Sequence, residues 1–133
     1  MTEEYCLPIR VYVEDTDAGG IVYYANYLKY FERARTELIR TLGYDKPALF
    51  GGLQFVVHSV EVTYRQPAVL DDQIVAKAKL LSVSRTSFTI AQKVLRNNEV
   101  LVEGLVKVAC INHERKRPAA IPADMLRTLQ AAV

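Results

Sequence analysis

The sequence has little of what marks several classes of protein. It contains two cysteines, Cys6 and Cys110, and two histidines, His58 and His113, and their spacing matches no metal-ligand pattern. No apolar run approaches the roughly 20 residues that a membrane-spanning helix requires. The N-terminus is acidic where a secretory signal would be basic, and no apolar segment follows it. We therefore expect a cytoplasmic protein with buried, reduced thiols and no bound metal or cofactor.

An excess of one charge is also missing. The chain has 17 Lys and Arg against 15 Asp and Glu, a formal net charge of +2. Such a small excess does not indicate a nucleic-acid partner, so an anionic ligand would have to be held by a local cluster of basic residues. The length of 133 residues suits one domain, which we expect to occupy residues 1–133.

Hydrophobic periodicity predicts one strand, one long helix and then four more strands. The predicted strands are Ile9–Val13, Gln54–Arg65, Gln73–Val83, Ser87–Arg96 and Val100–Asn112. Apolar residues from Tyr27 to Leu42 recur at three- and four-residue steps, which predicts a helix of about four turns. Asn26 suits its N-cap and Gly43 its C′ position. A short terminal helix is predicted over Ile121–Ala132.

Two positions in the last strands carry further expectations. Asn97 and Asn98 suit a two-residue hairpin loop, because asparagine tolerates positive φ. Gly104 interrupts the final strand, which indicates either a bulge or the close approach of another group.

This order of elements predicts an α+β domain in which an antiparallel sheet of about five strands packs against one long helix. A single helix covers only part of such a sheet. We therefore expect a second subunit to cover the remaining apolar surface, as a dimer or a tetramer.

An acidic, glycine-containing segment stands immediately before the long helix: Glu14-Asp15-Thr16-Asp17-Ala18-Gly19-Gly20. In an extended chain, Asp15 and Asp17 would project to the same side. A carboxylate can attack a carbonyl or activate water, and the unpaired amides of a helix N-terminus can stabilise the resulting oxyanion. The pattern predicts hydrolysis of a carbonyl compound, and spacing alone leaves open which aspartate reacts.

The same segment has a purely structural interpretation, in which the aspartates and glycines only form a turn before the helix. A calcium loop is excluded, because counting from Asp15 places Gly19 at position five and Asn26 at position twelve, where an acidic ligand and a bidentate glutamate are required.

The longer run from Tyr12 to Arg35, which includes Ile21-Val22-Tyr23-Tyr24-Ala25-Asn26-Tyr27, resembles the signature of the 4-hydroxybenzoyl-CoA thioesterase family. Within that family it is most similar to the acyl-CoA thioesterases associated with the Tol-Pal system. The resemblance also covers Gln66–Asp72 and extends over nearly the whole chain. It implies a hotdog fold, in which a curved antiparallel sheet wraps around the long helix and two subunits form each active site.

The resemblance also implies roles for individual residues. Asp17 matches the catalytic aspartate, acting as nucleophile or general base, and Asp15 becomes a supporting residue. The backbone N–H of Tyr24 matches the amide that polarises the thioester oxygen. Many Tol-Pal-associated members have histidine at position 24, so the tyrosine leaves acyl preference and pH behaviour open. The nucleotide-contacting basic positions correspond to Arg85, Arg115 and Arg117.

These expectations favour an acyl-CoA thioesterase that releases a carboxylic acid and free CoA, with CoA as part of the substrate. One alternative is a non-catalytic hotdog adaptor that binds acyl carrier protein or a cell-envelope partner at the inner membrane. A hotdog hydratase is disfavoured, because that branch typically uses an Asp and His pair and the motif contains no histidine.

Overall fold

A computed structural model describes residues 4–45 and 49–133. It contains one antiparallel sheet and two helices. The strands are β1 (Glu4–Arg10), β2 (Leu49–Phe50), β3 (Leu53–Tyr64), β4 (Gln73–Val83), β5 (Ser87–Arg96) and β6 (Glu99–Asn112). The helices are α1 (Asn26–Thr41) and α2 (Ala123–Ala132), and a 3₁₀ turn spans Val13–Asp15. No helix in the described ranges is long and apolar enough to cross a membrane.

The strands follow the order β1-β4-β5-β6-β3-β2, and every neighbouring pair is antiparallel. Five of them are long, as the sequence predicts, and the two-residue β2 is an addition. Helix α1 packs over β1, β4 and β5. Its apolar side buries Tyr27, Tyr30, Phe31, Ala34 and Leu38 against alternate residues of those strands. The predicted α+β hotdog architecture is confirmed.

The first strand differs from the prediction of Ile9–Val13. It occupies Glu4–Arg10 and pairs with β4 from Glu4 to Arg10. Pro8 lies within it, which is tolerated because β1 is the edge of the sheet. After the buried Val11 the chain leaves the sheet for the 3₁₀ turn, and the carboxylate of Asp15 accepts a hydrogen bond from Tyr12 N–H at 2.9 Å.

The ends of α1 bear out one prediction and correct another. Gly43 follows the helix with a φ of 106°, as expected of a C′ glycine. Asn26 is the first helical residue rather than the N-cap, which is Ala25 without a side-chain cap. The side-chain amide of Asn26 instead donates a hydrogen bond to the backbone carbonyl of Asp15 at 2.8 Å.

The remaining details of the sheet agree with the sequence more closely. Asn97 and Asn98 form the β5–β6 turn with φ values of 50° and 67°. At Gly104 the close-approach interpretation is confirmed, because a Cβ there would lie 2.3 Å from the Glu61 carbonyl oxygen.

Of the two cysteines, Cys110 is buried and Cys6 is exposed on β1, so the prediction of two buried thiols is wrong for Cys6.

Candidate active site

The acidic segment folds as a small hairpin in front of α1. Asp17 N–H donates to the Ile21 carbonyl at 2.9 Å, and Tyr23 N–H donates to the Asp15 carbonyl at 3.0 Å. Thr16 and Val22 form a bridge between these two bonds. The segment therefore folds back after Asp17 instead of running straight to the helix, and the placement of Asp15 and Asp17 on the same side stays a prediction. Asp17 lies on the first arm of the hairpin opposite Ile21, and Tyr24 follows the second arm in the turn that leads into α1.

The two aspartates of this hairpin have different surroundings. Asp15 is half-buried and accepts hydrogen bonds through both its carboxylate and its carbonyl, so it organises the turn. Asp17 is exposed, and its Oδ1 accepts a hydrogen bond from Gly19 N–H at 2.8 Å. Within the described part of the chain, Oδ2 of Asp17 has no hydrogen-bond partner. The structure thus leaves Asp17 available for chemistry and gives Asp15 a structural role.

The glycines of the hairpin fit its tight geometry. Gly20 has a φ of 82°, a left-handed conformation in which other residues are strained. At Gly19, a Cβ would lie 3.3 Å from Oδ1 of Asp17. Side chains at these positions would press on the carboxylate or strain the turn.

The backbone N–H of Tyr24, two residues before α1 begins, is also available. Across residues 4–45 and 49–133, no acceptor lies in hydrogen-bond geometry to Tyr24 N–H, whereas the Tyr24 carbonyl accepts from the Tyr64 hydroxyl at 3.2 Å. The Tyr24 and Tyr64 rings meet edge to face, with centroids 6.1 Å apart. Burial raises the pKa of the Tyr64 hydroxyl. A cleft of about 280 Å³ lies beside these rings, between the helix N-terminus and Arg65-Gln66-Pro67.

Two buried contacts behind the hairpin hold it in place. Val22 N–H donates to the Ala68 carbonyl at 2.9 Å, and Ala68 N–H donates to the Tyr27 hydroxyl at 2.9 Å. The pKa of the buried Tyr30 hydroxyl is raised, mainly by burial and to a smaller extent by the nearby carboxylate of Asp15. The Gln66–Asp72 segment is thereby tied to both the hairpin and the helix.

The predicted CoA-binding arginines lie elsewhere. Arg85 lies in the β4–β5 connection, and Arg115 and Arg117 lie in the turn after β6. The Arg85 carbonyl accepts from Ile121 N–H, and the Arg117 carbonyl accepts from Asn112 N–H, so both segments lie at one end of the sheet. All three side chains are exposed, and none has a hydrogen-bond partner in the described part of the chain.

The structure does not bring these arginines together with Asp17 in one protomer. β3 runs from Phe55, paired with Cys110 near the arginines, to Tyr64 beside Tyr24. At about 3.3 Å per residue, those nine steps separate the two ends by about 30 Å. The same described residues hold no group of three His, Cys, Asp or Glu side chains placed to bind a metal.

Comparison with known proteins identifies the family. The thioesterase-like superfamily matches residues 11–129. The chain belongs to this superfamily. It is 40% identical to the acyl-CoA thioesterase YbgC of Haemophilus influenzae over 123 residues, which cover 91% of this chain and 90% of that protein. It is 39% identical to the acyl-CoA thioester hydrolase YbgC of Escherichia coli O6:H1, again with 90% of each chain covered.

Solved structures agree with this membership. A structure described as a probable thioesterase from Bartonella henselae superposes with a TM-score of 0.84 at 34% identity, covering 90% of this chain and all of that one. The family predicted from the segment around Asp17 is confirmed, and the chain is a thioester hydrolase.

Sequence reasoning missed two contributors to this site. Asn26 stands two residues after Tyr24, where the sequence predicts a helix cap, but its side chain links the helix to the hairpin. Tyr64, at the end of a strand, gives no sequence signal of its contact with the Tyr24 carbonyl. Only the closeness of Asn26 to the motif could have indicated its role.

Proposed function

We propose that this protein hydrolyses acyl-CoA thioesters to a carboxylic acid and free CoA. The observation that carries the proposal is that one short segment holds both an unengaged Asp17 Oδ2, on the first arm of the hairpin, and an unengaged Tyr24 N–H, directly after the second arm. A carboxylate and a fixed amide donor are the two groups that acyl transfer requires. The similarity to the acyl-CoA thioesterase of Haemophilus influenzae and the acyl-CoA thioester hydrolase of Escherichia coli supports acyl-CoA as the substrate.

The chemistry follows one of two balanced routes. As a nucleophile, Asp17 Oδ2 attacks the thioester carbonyl carbon, Tyr24 N–H stabilises the oxyanion, and the C–S bond breaks to release the CoA thiolate. Water then hydrolyses the mixed anhydride. As a general base, Asp17 takes a proton from water, the hydroxide adds to the carbonyl carbon, and the C–S bond breaks as the CoA thiolate leaves and regains that proton. A single turnover in ¹⁸O-labelled water separates the routes, because only the nucleophilic route can leave label in the Asp17 carboxylate.

We propose that the working unit is a homo-oligomer built on β3. β2 pairs with Leu53 and Gln54 of that strand, and its outer edge from Val56 to Tyr64 pairs with no other strand in the described part of the chain. Val57, Val60 and Tyr64, on the face toward α1, are 46%, 40% and 45% exposed. A long, flat, apolar edge of this kind is a template for pairing with another strand. A second copy of the same edge is the simplest occupant.

Antiparallel pairing of two such edges places opposite ends of β3 side by side. If the pairing is centred near Ser59 and Val60, Phe55 of one protomer lies opposite Tyr64 of its partner. The arginine end of one protomer then lies beside the Asp17 end of the other. We propose that Arg85, Arg115 and Arg117 hold the CoA phosphates for the partner's Asp17, because guanidinium groups bind phosphate well.

The test of this function uses the purified protein. We expect it to release free thiol from one or more of a set of short, long-chain and aromatic acyl-CoA substrates. Asp17→Asn should lower kcat by about 10³-fold or more, because losing an attacking group usually costs several orders of magnitude. Glu14→Gln, a change of an exposed neighbouring acid, should keep wild-type activity.

Two outcomes would contradict this function. Absence of thiol release from every substrate would favour the non-catalytic adaptor, and full activity in Asp17→Asn would remove Asp17 from the chemistry. The cytoplasmic location, the Tol-Pal association, the choice between dimer and tetramer, and an acyl carrier protein or inner-membrane partner stay predictions.

A further inference from the structure

A second cavity lies away from Asp17, between the C-terminal half of α1 and the sheet. Its volume is about 250 Å³. Glu32, Arg35 and Thr36 form its helical wall, and Phe55, Phe88 and Ile90 contribute to its floor. This space, the α1 cavity, is mostly apolar with one polar side. A cavity of about 150 Å³ can hold benzene, so the α1 cavity suits a short acyl group rather than a long chain.

Arg35 is the unusual residue of this cavity. Its Nη1 donates a hydrogen bond to Gln92 Oε1 at 3.3 Å, and the fully buried Gln92 in turn donates to the Phe31 carbonyl at 2.8 Å. Burial lowers the pKa of the Arg35 guanidinium, although the nearby Glu32 opposes this effect. No carboxylate in the described part of the chain lies within 4.0 Å of the Arg35 guanidinium, the distance that defines an ion pair.

The nearest acidic side chain does not pair with Arg35. The Glu32 carboxylate accepts a hydrogen bond from the Thr36 hydroxyl at 3.2 Å and forms no ion pair with Arg35. Arg35 is therefore a partly desolvated, fixed cation with N–H donors left over. Such a group favours a hydrogen-bond acceptor from a ligand, because unpaired donors in a poorly hydrated site are costly.

The position of the cavity connects it to the reaction. It lies at the Phe55 end of β3, which the proposed antiparallel pairing sets beside the Tyr64 end, and hence Asp17, of the partner. An acyl group whose thioester lies at Asp17 of one protomer would extend into the α1 cavity of the other. This step rests on the proposed function and on the β3 pairing.

We propose that Arg35 determines acyl specificity across the subunit boundary, favouring short acyl groups whose far end carries a hydrogen-bond acceptor such as a carboxylate. An unsubstituted chain of the same length fills the apolar floor but leaves the guanidinium without a partner. The discrimination therefore appears in the ratio of kcat/KM values rather than in the activity toward a plain acyl-CoA.

The experiment compares adipoyl-CoA with hexanoyl-CoA, which have equal chain lengths and differ in the terminal carboxylate. We expect the wild type to prefer adipoyl-CoA. Arg35→Gln should lower kcat/KM for adipoyl-CoA by about tenfold or more, since a hydrogen bond to a charged group is worth that much, and change it little for hexanoyl-CoA. Arg35→Gln keeps a donor for Gln92, and Arg35→Lys, which restores the charge, should recover part of the preference.

Arg33→Met, a change at an exposed position on the same helix, is the matched control and should leave the ratio unchanged. A ratio unaffected by Arg35→Gln, or an equal loss on both substrates with normal folding and assembly, would overturn this proposal. Hydrolysis of hexanoyl-CoA by the wild type without any preference would reject the role of Arg35 and leave the thioesterase function intact. Hydrolysis of no substrate would reject the function itself.

Discussion

The two ends of β3 hold different kinds of residue and hold them differently. At the Tyr64 end, a continuous stretch of chain is tied by short hydrogen bonds into a hairpin that presents Asp17 and Tyr24 N–H. At the Phe55 end, Arg85, Arg115 and Arg117 project from two loops without side-chain partners in the described part of the chain. In the function proposed above, the first end carries the reacting groups and the second binds the CoA phosphates, so a complete site needs both ends.

The comparison also explains why half of the inner face of the sheet is open. α1 packs over β1, β4 and β5, while β3 leaves Val57, Val60 and Tyr64 exposed on the same side. Exposed apolar surface of this extent marks an interaction site. The pairing of two β3 edges would cover this surface and bring the two unlike ends together.

Among the changes that test this difference between the two ends, blocking the pairing has the largest expected effect. Val60→Glu places like charges close to each other at the centre of the paired edges, which opposes association. We expect light scattering to show monomers and thiol release to fall by about 10²-fold or more, because each site loses its partner half. Leu81→Glu changes an equally exposed apolar residue on β4 and should alter neither property. A monomeric Val60→Glu with full activity would show that one protomer suffices.

A smaller effect is expected within the Tyr64 end. Asn26→Asp removes the donor that binds the Asp15 carbonyl and sets two oxygens against each other, which should displace the Asp17 hairpin from Tyr24 N–H. A displacement of about 1 Å can cost about 10²-fold in kcat. Protonation of the new carboxyl, whose ordinary pKa is about 4, restores a donor, so the defect relative to wild type should shrink as pH falls.

Two controls sharpen this prediction. In Asn26→Ala the defect should be constant with pH, since no group is left to protonate. Asn112→Asp at the Phe55 end keeps the acceptor used by Glu114 N–H and Arg115 N–H and should have little effect. Equal pH profiles for Asn26→Asp and Asn26→Ala would show that the hydrogen bond to Asp15 does not position the hairpin.

The smallest effect is expected at the Phe55 end. The double variant Arg115→Gln, Arg117→Gln should raise KM for acyl-CoA by about tenfold with kcat nearly unchanged. Phosphate contacts bind the ground state and the transition state alike, so their loss does not slow the chemical step. The salt dependence of KM should weaken at the same time. Arg127→Gln on α2 removes an exposed arginine that is paired with Asp124 and should leave KM unchanged. A fall in kcat without a change in KM would place these arginines in the chemistry instead.

Much of this architecture could be predicted from the sequence where turn-forming residues mark the ends of the strands. β4 and β5 occupy the predicted ranges Gln73–Val83 and Ser87–Arg96, because the Asp71-Asp72 and Asn97-Asn98 turns delimit them. The first strand was misplaced, since Pro8 argues against a strand unless its position at the sheet edge is known.

The site was predictable only in part, because some of its contacts join consecutive residues and others join distant segments of the chain. Asp17 and Tyr24 lie within one motif of consecutive residues, so their closeness is a local property. The hydrogen bonds from Asn26 to Asp15 and from Tyr64 to Tyr24 depend on how the hairpin meets the helix and sheet, which no local pattern contains. The separation of about 30 Å between the arginine end and the Asp17 end follows from the length of β3, at about 3.3 Å per residue.

Subunit complementation tests most directly whether the two ends of β3 meet across a boundary. Asp17→Asn has intact arginines, and a variant with Arg85, Arg115 and Arg117 all changed to alanine has an intact Asp17. When the two chains are co-expressed, each heterodimer should contain one site with Asp17 from one chain and arginines from the other. We predict that thiol release at low acyl-CoA concentration rises clearly above that of either variant alone. If heterodimers form and activity stays at the sum of the two separate variants, the site does not combine Asp17 with the partner's arginines.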